Sequence, residues 1–190
     1  MPSPLADLPD QYKPWAIFLL LICLTSGLFF APVVEMELAE HDAETLRDNV
    51  LIGNDLGDFS SPLKAQITGR PVAELAKWLA SLLCGDDPHL LHVAGISLHT
   101  LSAILLAALL RKMAADLLLC FSASFLFLAN IGHFYAVYHF SGIDYPLALV
   151  LVLLGMTCYV QLVAAGGKIW IVGACFFFGC GVLSHIGAIA

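Results

Sequence analysis

The side chains able to do polar chemistry are concentrated in one segment, residues 35–87, which holds eleven acidic and four basic residues. Asp42 and Glu44 stand near its start, and Arg47, Lys64 and Arg70 follow along it. A carboxylate can take a proton from an attacking hydroxyl, and cations can hold phosphate oxygens. The bland alternative for both sets is a solvated surface. Further on, His92 and His99 are seven residues apart and share one face of a helix. Polar groups in an apolar helix are costly enough to face inward. Hydrogen bonding between helices is the first expectation for this pair, ahead of lining a pocket or binding metal. His133, His139 and Asp144 stand close together in the sequence, but loop spacing makes them a weak metal set. Haem between His99 and His185 finds no repeated histidine pair on two helices to support it. Of the six cysteines only Cys84 lies near the polar segment, so no disulfide framework is expected. No phosphate-binding glycine loop, nucleophile elbow or zinc signature is present.

These residues must be positioned by a very apolar chain. Hydrophobic residues make up 60% and charged ones 12%, with a mean hydropathy of +0.89. A soluble domain carries about 25% charged residues, and disorder is excluded by the apolar surface available for burial. A net charge of −7 argues against a nucleic-acid partner. Charge-free stretches run over 14–34, 88–110, 117–143, 145–167 and 169–190. About 20 apolar residues cross the hydrocarbon core as helix. The sequence therefore predicts an all-α polytopic membrane protein with about five transmembrane helices, near 14–34, 89–110, 115–133, 146–165 and 169–190.

The first span reads as a retained anchor, since its apolar core is long and no small-x-small cleavage site follows. The last span stops within an apolar run, so it is expected to be cut short. With residues 1–13 in the cytoplasm, Lys13, Arg111, Lys112 and Lys168 all fall on the cytoplasmic side. The 35–87 loop and the 134–145 turn then lie on the periplasmic or lumenal side. Trp15, Trp78 and Trp170 fall at expected membrane borders.

Within the loop, Leu46, Val50 and Leu51 share one face of a helical run from Asp42 to Ile52. A second helix is predicted from Pro71, a residue suited to a first turn. Val72, Leu75, Ala76, Leu79, Leu82 and Leu83 form its apolar stripe, with Glu74, Lys77 and Ser81 opposite. Such a helix belongs on a membrane surface, with Trp78 setting its depth. Gly53, Gly57, Ser60, Ser61 and Pro62 mark the irregular connection between the two.

Four stretches together carry a family resemblance. They are His41-Asp42-Ala43-Glu44-Thr45-Leu46-Arg47-Asp48-Asn49, Gly69-Arg70-Pro71 followed by His92 and His99, the run Gly132 to Asp144, and Leu183-Ser184-His185-Ile186-Gly187-Ala188. The chain resembles the N-terminal half of the GT-C fold glycosyltransferases that use polyprenyl-phosphate sugars. Within them it is most similar to the protein O-mannosyltransferase and tetratricopeptide-linked branch. It departs from the family where His41 and Ala43 interrupt the acidic pair and where His185-Ile186 replaces a Lys-Glu.

The resemblance implies transfer of a sugar from a lipid-phosphate donor to an acceptor hydroxyl on the extracytoplasmic side. It casts Asp42 as general base, with Glu44 assisting or holding a divalent cation (Mg or Mn). Arg70, with Lys64 and Arg47 behind it, would bind the donor phosphate, and His92, His99, His139 and Asp144 would line the pocket. The implied partners are the lipid bilayer, the polyprenyl-phosphate sugar, a protein or glycan acceptor, and other membrane subunits. The family has about twice as many spans, so the chain is expected to be the N-terminal portion of a longer enzyme. The alternative is a non-catalytic polytopic subunit of a larger membrane complex.

Overall fold

A computed structural model describes residues 12–48, 70–85 and 87–185, and every regular element among them is helical. In chain order these are α1 (Lys13–Val34), α2 (Glu40–Asp48), α3 (Pro71–Cys84), α4 (Pro88–Lys112), α5 (Leu117–Leu128), α6 (Phe134–Tyr138), α7 (Asp144–Ala165) and α8 (Lys168–Ser184). Short 3-10 turns at Ile131–His133 and Phe140–Ile143 flank α6. Three segments are long and apolar enough to cross a membrane: α1, α4, and α7 with the 3-10 turn that leads into it.

α4 is the hub, in contact with α1, α3, α5, α6 and α7. Asp87 caps its start, accepting from the His89 amide at 2.9 Å, and Arg111 and Lys112 sit in its last turn. Both placements complement the helix dipole. α1 runs antiparallel to it, because the His89 ring bonds the Val34 carbonyl at the far end of α1. Phe18, Ile22 and Ser26, one turn apart, form the inward row of α1, while Leu20, Leu24 and Leu28 face away from the protein. Phe18 stacks on Phe121 with ring centroids 4.4 Å apart, and Trp15 meets both rings edge-on. Lys13, Arg111, Lys112 and Lys168 thus gather at one end of the bundle, and α2, α3 and the Phe140–Ile143 turn at the other, called here the site end.

α5 is 12 residues long, about 18 Å at the helical rise and short of the roughly 30 Å hydrocarbon core. The expected 115–133 span ends early because the Asn130 side chain accepts the Gly132 amide at 2.9 Å. That local bond offers the backbone a turn in place of another helical bond. α8 has 17 described residues. It pairs with α7 more extensively than any other two helices pair. Gly166 and Gly167 make the turn between them with φ of 68° and 106°, a region that suits glycine. Close approach is set by Gly155 beneath the Phe178 ring and Gly173 against the Cys158 sulfur.

α3 starts at Pro71 as the sequence predicts, but its orientation was not legible. The row turned toward the protein is Ala73, Lys77, Ala80 and Cys84, the last two packing on a cluster of Leu46, Leu91, Phe140 and Ile143. Lys77 is 6% exposed and lies 3.3 Å from Glu74. Leu79, Leu82 and Leu83 point away from the bundle. α2 covers the first part of the helix expected from Asp42, while Val50, Leu51 and the connection through Gly53, Gly57, Ser60, Ser61 and Pro62 lie outside the described residues.

Candidate functional site

α2 is amphipathic, and the face that buries Leu46 also buries Asp42 one turn before it. The carboxylate is fully buried at 0% exposure. Its Oδ1 accepts the Ser141 backbone amide at 2.8 Å, across 99 residues of sequence. Its Oδ2 lies 3.5 Å from Nδ1 of His139 and has no hydrogen-bond partner among the described residues. A buried carboxylate is expensive unless its oxygens are satisfied. This one is held at one oxygen and presents the other to an imidazole. Behind them sits His92, within electrostatic reach of Asp42 and His139. Neither of its ring nitrogens makes a well-formed hydrogen bond among the described residues, although the Met36 carbonyl is close by.

The same 3-10 turn carries a second buried carboxylate. Asp144 follows Ile143 directly, is also 0% exposed, and accepts from Arg70 Nη1 at its Oδ2. Its Oδ1 has no partner among the described residues. Arg70 is the residue before the first turn of α3 and keeps 38% of its side chain exposed. It can therefore hold Asp144 and still meet a ligand, close to the positive end of a helix. Gly142 makes the turn this tight: a Cβ there would stand 2.5 Å from the Tyr135 carbonyl and 2.8 Å from its ring.

Aromatic rings border the two carboxylates. Tyr135 lies 4.9 Å from the His139 ring and 6.0 Å from Tyr145, which in turn lies 4.2 Å from His185. The Tyr135 hydroxyl meets the Ser141 hydroxyl at 3.1 Å. Both tyrosines are exposed, so they offer flat apolar faces beside the buried acids.

His99 and His133 form a different group. His99 Nε2 faces the Leu128 carbonyl at 3.4 Å, and its ring packs on Phe30, Phe127 and His133 at 5.7, 4.9 and 5.0 Å. Burial holds the pKa of His133 below the ordinary 6.5, with the Phe127 carbonyl opposing that shift. Together with Phe29, Phe30 and Tyr138, His133 lines a cavity of about 290 Å³.

The placements differ among the residues singled out in the sequence. Asp42, His92 and His139 are brought together, and Arg70 and Asp144 pair at the other end of one turn. Glu44 is not beside Asp42: it is 50% exposed, 3.9 Å from His41 on the opposite face of α2. His99 is not brought to either carboxylate: it faces the Leu128 carbonyl at the end of α5. His133, His139 and Asp144 face three different partners and do not converge, because the Asn130 turn directs His133 toward His99. Lys64 and the Arg47 side chain lie outside the described residues. Among the described residues no three His, Cys, Asp or Glu side chains are grouped to hold a metal ion. Ser141, Tyr135 and Tyr145 were not singled out, since a backbone donor and a ring row carry no residue-type signal of their own.

Comparison with protein-family models, with curated proteins and with solved structures returns no match for this chain.

Proposed function

We propose that this chain is the N-terminal portion of a membrane glycosyltransferase that moves a sugar from a polyprenyl-phosphate donor to an acceptor hydroxyl. In this reading α1, α4 and α7 cross the membrane, the shorter apolar helices α5 and α8 lie within it as the remaining two of five membrane segments, and the site end faces the periplasm or lumen. The single observation that carries the reading is the Asp42 carboxylate, wholly buried, fixed at Oδ1 by the Ser141 amide and left without a hydrogen bond at Oδ2, 3.5 Å from His139. A proton acceptor is most effective when held within reach of a hydroxyl in a site that excludes water.

In this reading the acceptor oxygen forms a bond to the anomeric carbon as the bond from that carbon to the phosphate oxygen breaks. The hydroxyl proton passes to Asp42 Oδ2, and the polyprenyl phosphate leaves with its charge facing Arg70 and the N-terminus of α3. Asp144 fixes the guanidinium in place. The described residues offer no three-ligand set for a divalent cation. Glu44, on the exposed face, takes no part.

Turnover of a polyprenyl-phosphate hexose by the intact protein tests the proposal. Asp42→Asn keeps an acceptor for the Ser141 amide and loses the basic oxygen, so transfer falls by about 100-fold or more while membrane insertion and melting temperature hold. Wild-type turnover in that variant would remove Asp42 from the chemistry. Absence of transfer by the wild-type protein with any such donor would remove the reaction itself.

A further inference from the structure

The oxygen on which the proposed reaction depends is closed to solvent. Asp42 is wholly buried, and its Oδ2 has essentially no exposed surface. An acceptor hydroxyl therefore reaches Oδ2 only through a group that touches both. His139 stands in that position. Its Nδ1 is 3.5 Å from Oδ2, while its side chain keeps 27% of its surface exposed. Nδ1 is itself buried, so the exposed part of the ring lies away from Asp42. His92, the other imidazole within electrostatic reach, is 2% exposed and cannot meet an arriving substrate in the same way.

The chain holds the His139 ring in place from several sides. The His139 amide donates to the Tyr135 carbonyl at 3.2 Å, and its carbonyl accepts from the Gly142 amide at 3.1 Å. The Tyr135 ring lies against the imidazole, with centroids 4.9 Å apart and planes 31° from parallel. The Ser141 amide that fixes Oδ1 follows two residues later, so one short segment supplies both the anchor of the carboxylate and its imidazole neighbour. A carboxylate beside one imidazole nitrogen sets the tautomer: the proton sits on that nitrogen, and the lone pair is left on the other. Such hydrogen bonds are often long in a free enzyme and shorten when substrate binds.

We infer that His139 is the residue that meets the acceptor, as a proton relay between its hydroxyl and Asp42. The inference rests on the proposed transfer reaction and supplies the route for its proton. The neutral ring carries its proton on Nδ1, facing Asp42 Oδ2, and offers the Nε2 lone pair to the hydroxyl. As the acceptor oxygen bonds to the anomeric carbon, its proton moves to Nε2 and the Nδ1 proton moves to Oδ2. The polyprenyl phosphate leaves with the electron pair of the broken bond. The ring stays neutral with its tautomer exchanged, and a buried charge, costly to keep, is neutralised at Asp42. The reverse shift then returns the proton through the ring to water.

Two measurements test the relay, and the first needs no transfer. In nanodiscs with isotope-labelled histidine, the His139 signals are identified by their loss in His139→Gln. Their nitrogen chemical shifts should show the Nδ1–H tautomer. Asp42→Asn puts an amide donor where Oδ2 stood, so the tautomer should switch to Nε2–H. A wild-type ring protonated at Nε2 alone would overturn the inference.

The second measurement uses the reaction. His139→Ala should slow transfer by about 100-fold or more, and added imidazole, standing in the space the ring leaves, should recover about tenfold. His139→Gln fills that space and cannot pass a proton, so it should be equally slow and should not respond. Wild-type turnover in His139→Ala would overturn the relay, as would a loss that imidazole leaves unchanged in a variant that melts like the wild type. The Nδ1–H tautomer in a protein that transfers no sugar would instead retain the Asp42–His139 pair and discard the reaction.

Discussion

Two buried polar clusters stand in this bundle, and they meet the cost of burial with different chemistry. Around His99 and His133 the polar atoms belong to imidazoles packed among aromatic rings, His99 facing the Leu128 carbonyl and His133 keeping one ring nitrogen without a hydrogen bond among the described residues. Around Asp42 and Asp144 the polar atoms are carboxylates, each held firmly at one oxygen and left without a hydrogen bond at the other. The first arrangement is what helix packing needs, a polar side chain absorbed between helices. The second is more charge than packing needs. Buried, half-satisfied acids next to a histidine and an arginine are what makes this end of the bundle the candidate site.

The sharpest way to break this contrast is to exchange the effects of its two centres. Asp42→Asn is expected to lower transfer by about 100-fold or more with little change in thermal stability. His99→Leu is expected to do the reverse, costing about 1–3 kcal/mol from the stranded Leu128 carbonyl and repacking, with kcat unchanged. Parallel turnover and detergent melting measurements decide it, and a catalytic loss confined to His99→Leu would invert the assignment.

Next in size is the pair at the other end of the turn. Arg70→Ala leaves Asp144 buried and uncompensated, which should cost about 1–3 kcal/mol. Asp144→Asn in the same background should recover most of it, and a double-mutant cycle measures the coupling. Restoring stability should not restore the donor KM, because the phosphate would still lack Arg70. Full recovery of KM in the double variant would make the pair structural only.

Gly142→Ala is expected to destabilise by about 1–3 kcal/mol, since overpacking forces the backbone to shift. The Cβ would press on Tyr135, so chemical-shift or labelling changes should appear at Tyr135 and Ser141 first. A variant as stable as wild type would show that the turn has slack.

The smallest effect is one of pH. His133 in the folded protein has a pKa depressed below 6.5 by burial. The unfolded chain therefore takes up a proton first as pH falls, so this contribution is complete above 6.5 and is lost through the interval below it. Melting temperature should drop between pH 7.5 and pH 5, and His133→Gln should flatten part of that slope. An identical slope in the variant would place the sensitivity elsewhere.

Much of this was legible in the residues, and what was not has physical causes. The start of α3 at Pro71 and the shared inward face of His92 and His99 follow from local rules of turn chemistry and helical period. The burial of Asp42 was half-visible, since it is one turn from Leu46. Its partner was invisible, because the Ser141 amide belongs to the backbone and any residue there would supply it. The 115–133 stretch misled for a related reason: charge counting registers apolar length, whereas Asn130 ends α5 through one side-chain hydrogen bond. Lys77 misled as well. Helical patterning places it on the polar face of α3, and tertiary packing turned that face inward because Ala73, Ala80 and Cys84 beside it are small enough to approach α4 and α8.

The outward leucines of α3 have a kinetic consequence. Leu79, Leu82 and Leu83 form an exposed apolar edge on α3 of the kind that suits a lipid surface, and in the proposed reading it holds Arg70, at the head of the helix, at the level of that surface. The lipid-borne donor of the proposed reaction would then find Arg70 by wandering in two dimensions. Encounter in the proposed reaction would then follow donor molecules per unit of membrane area, and diluting the bilayer with inert lipid should slow transfer while leaving every bond in the protein intact.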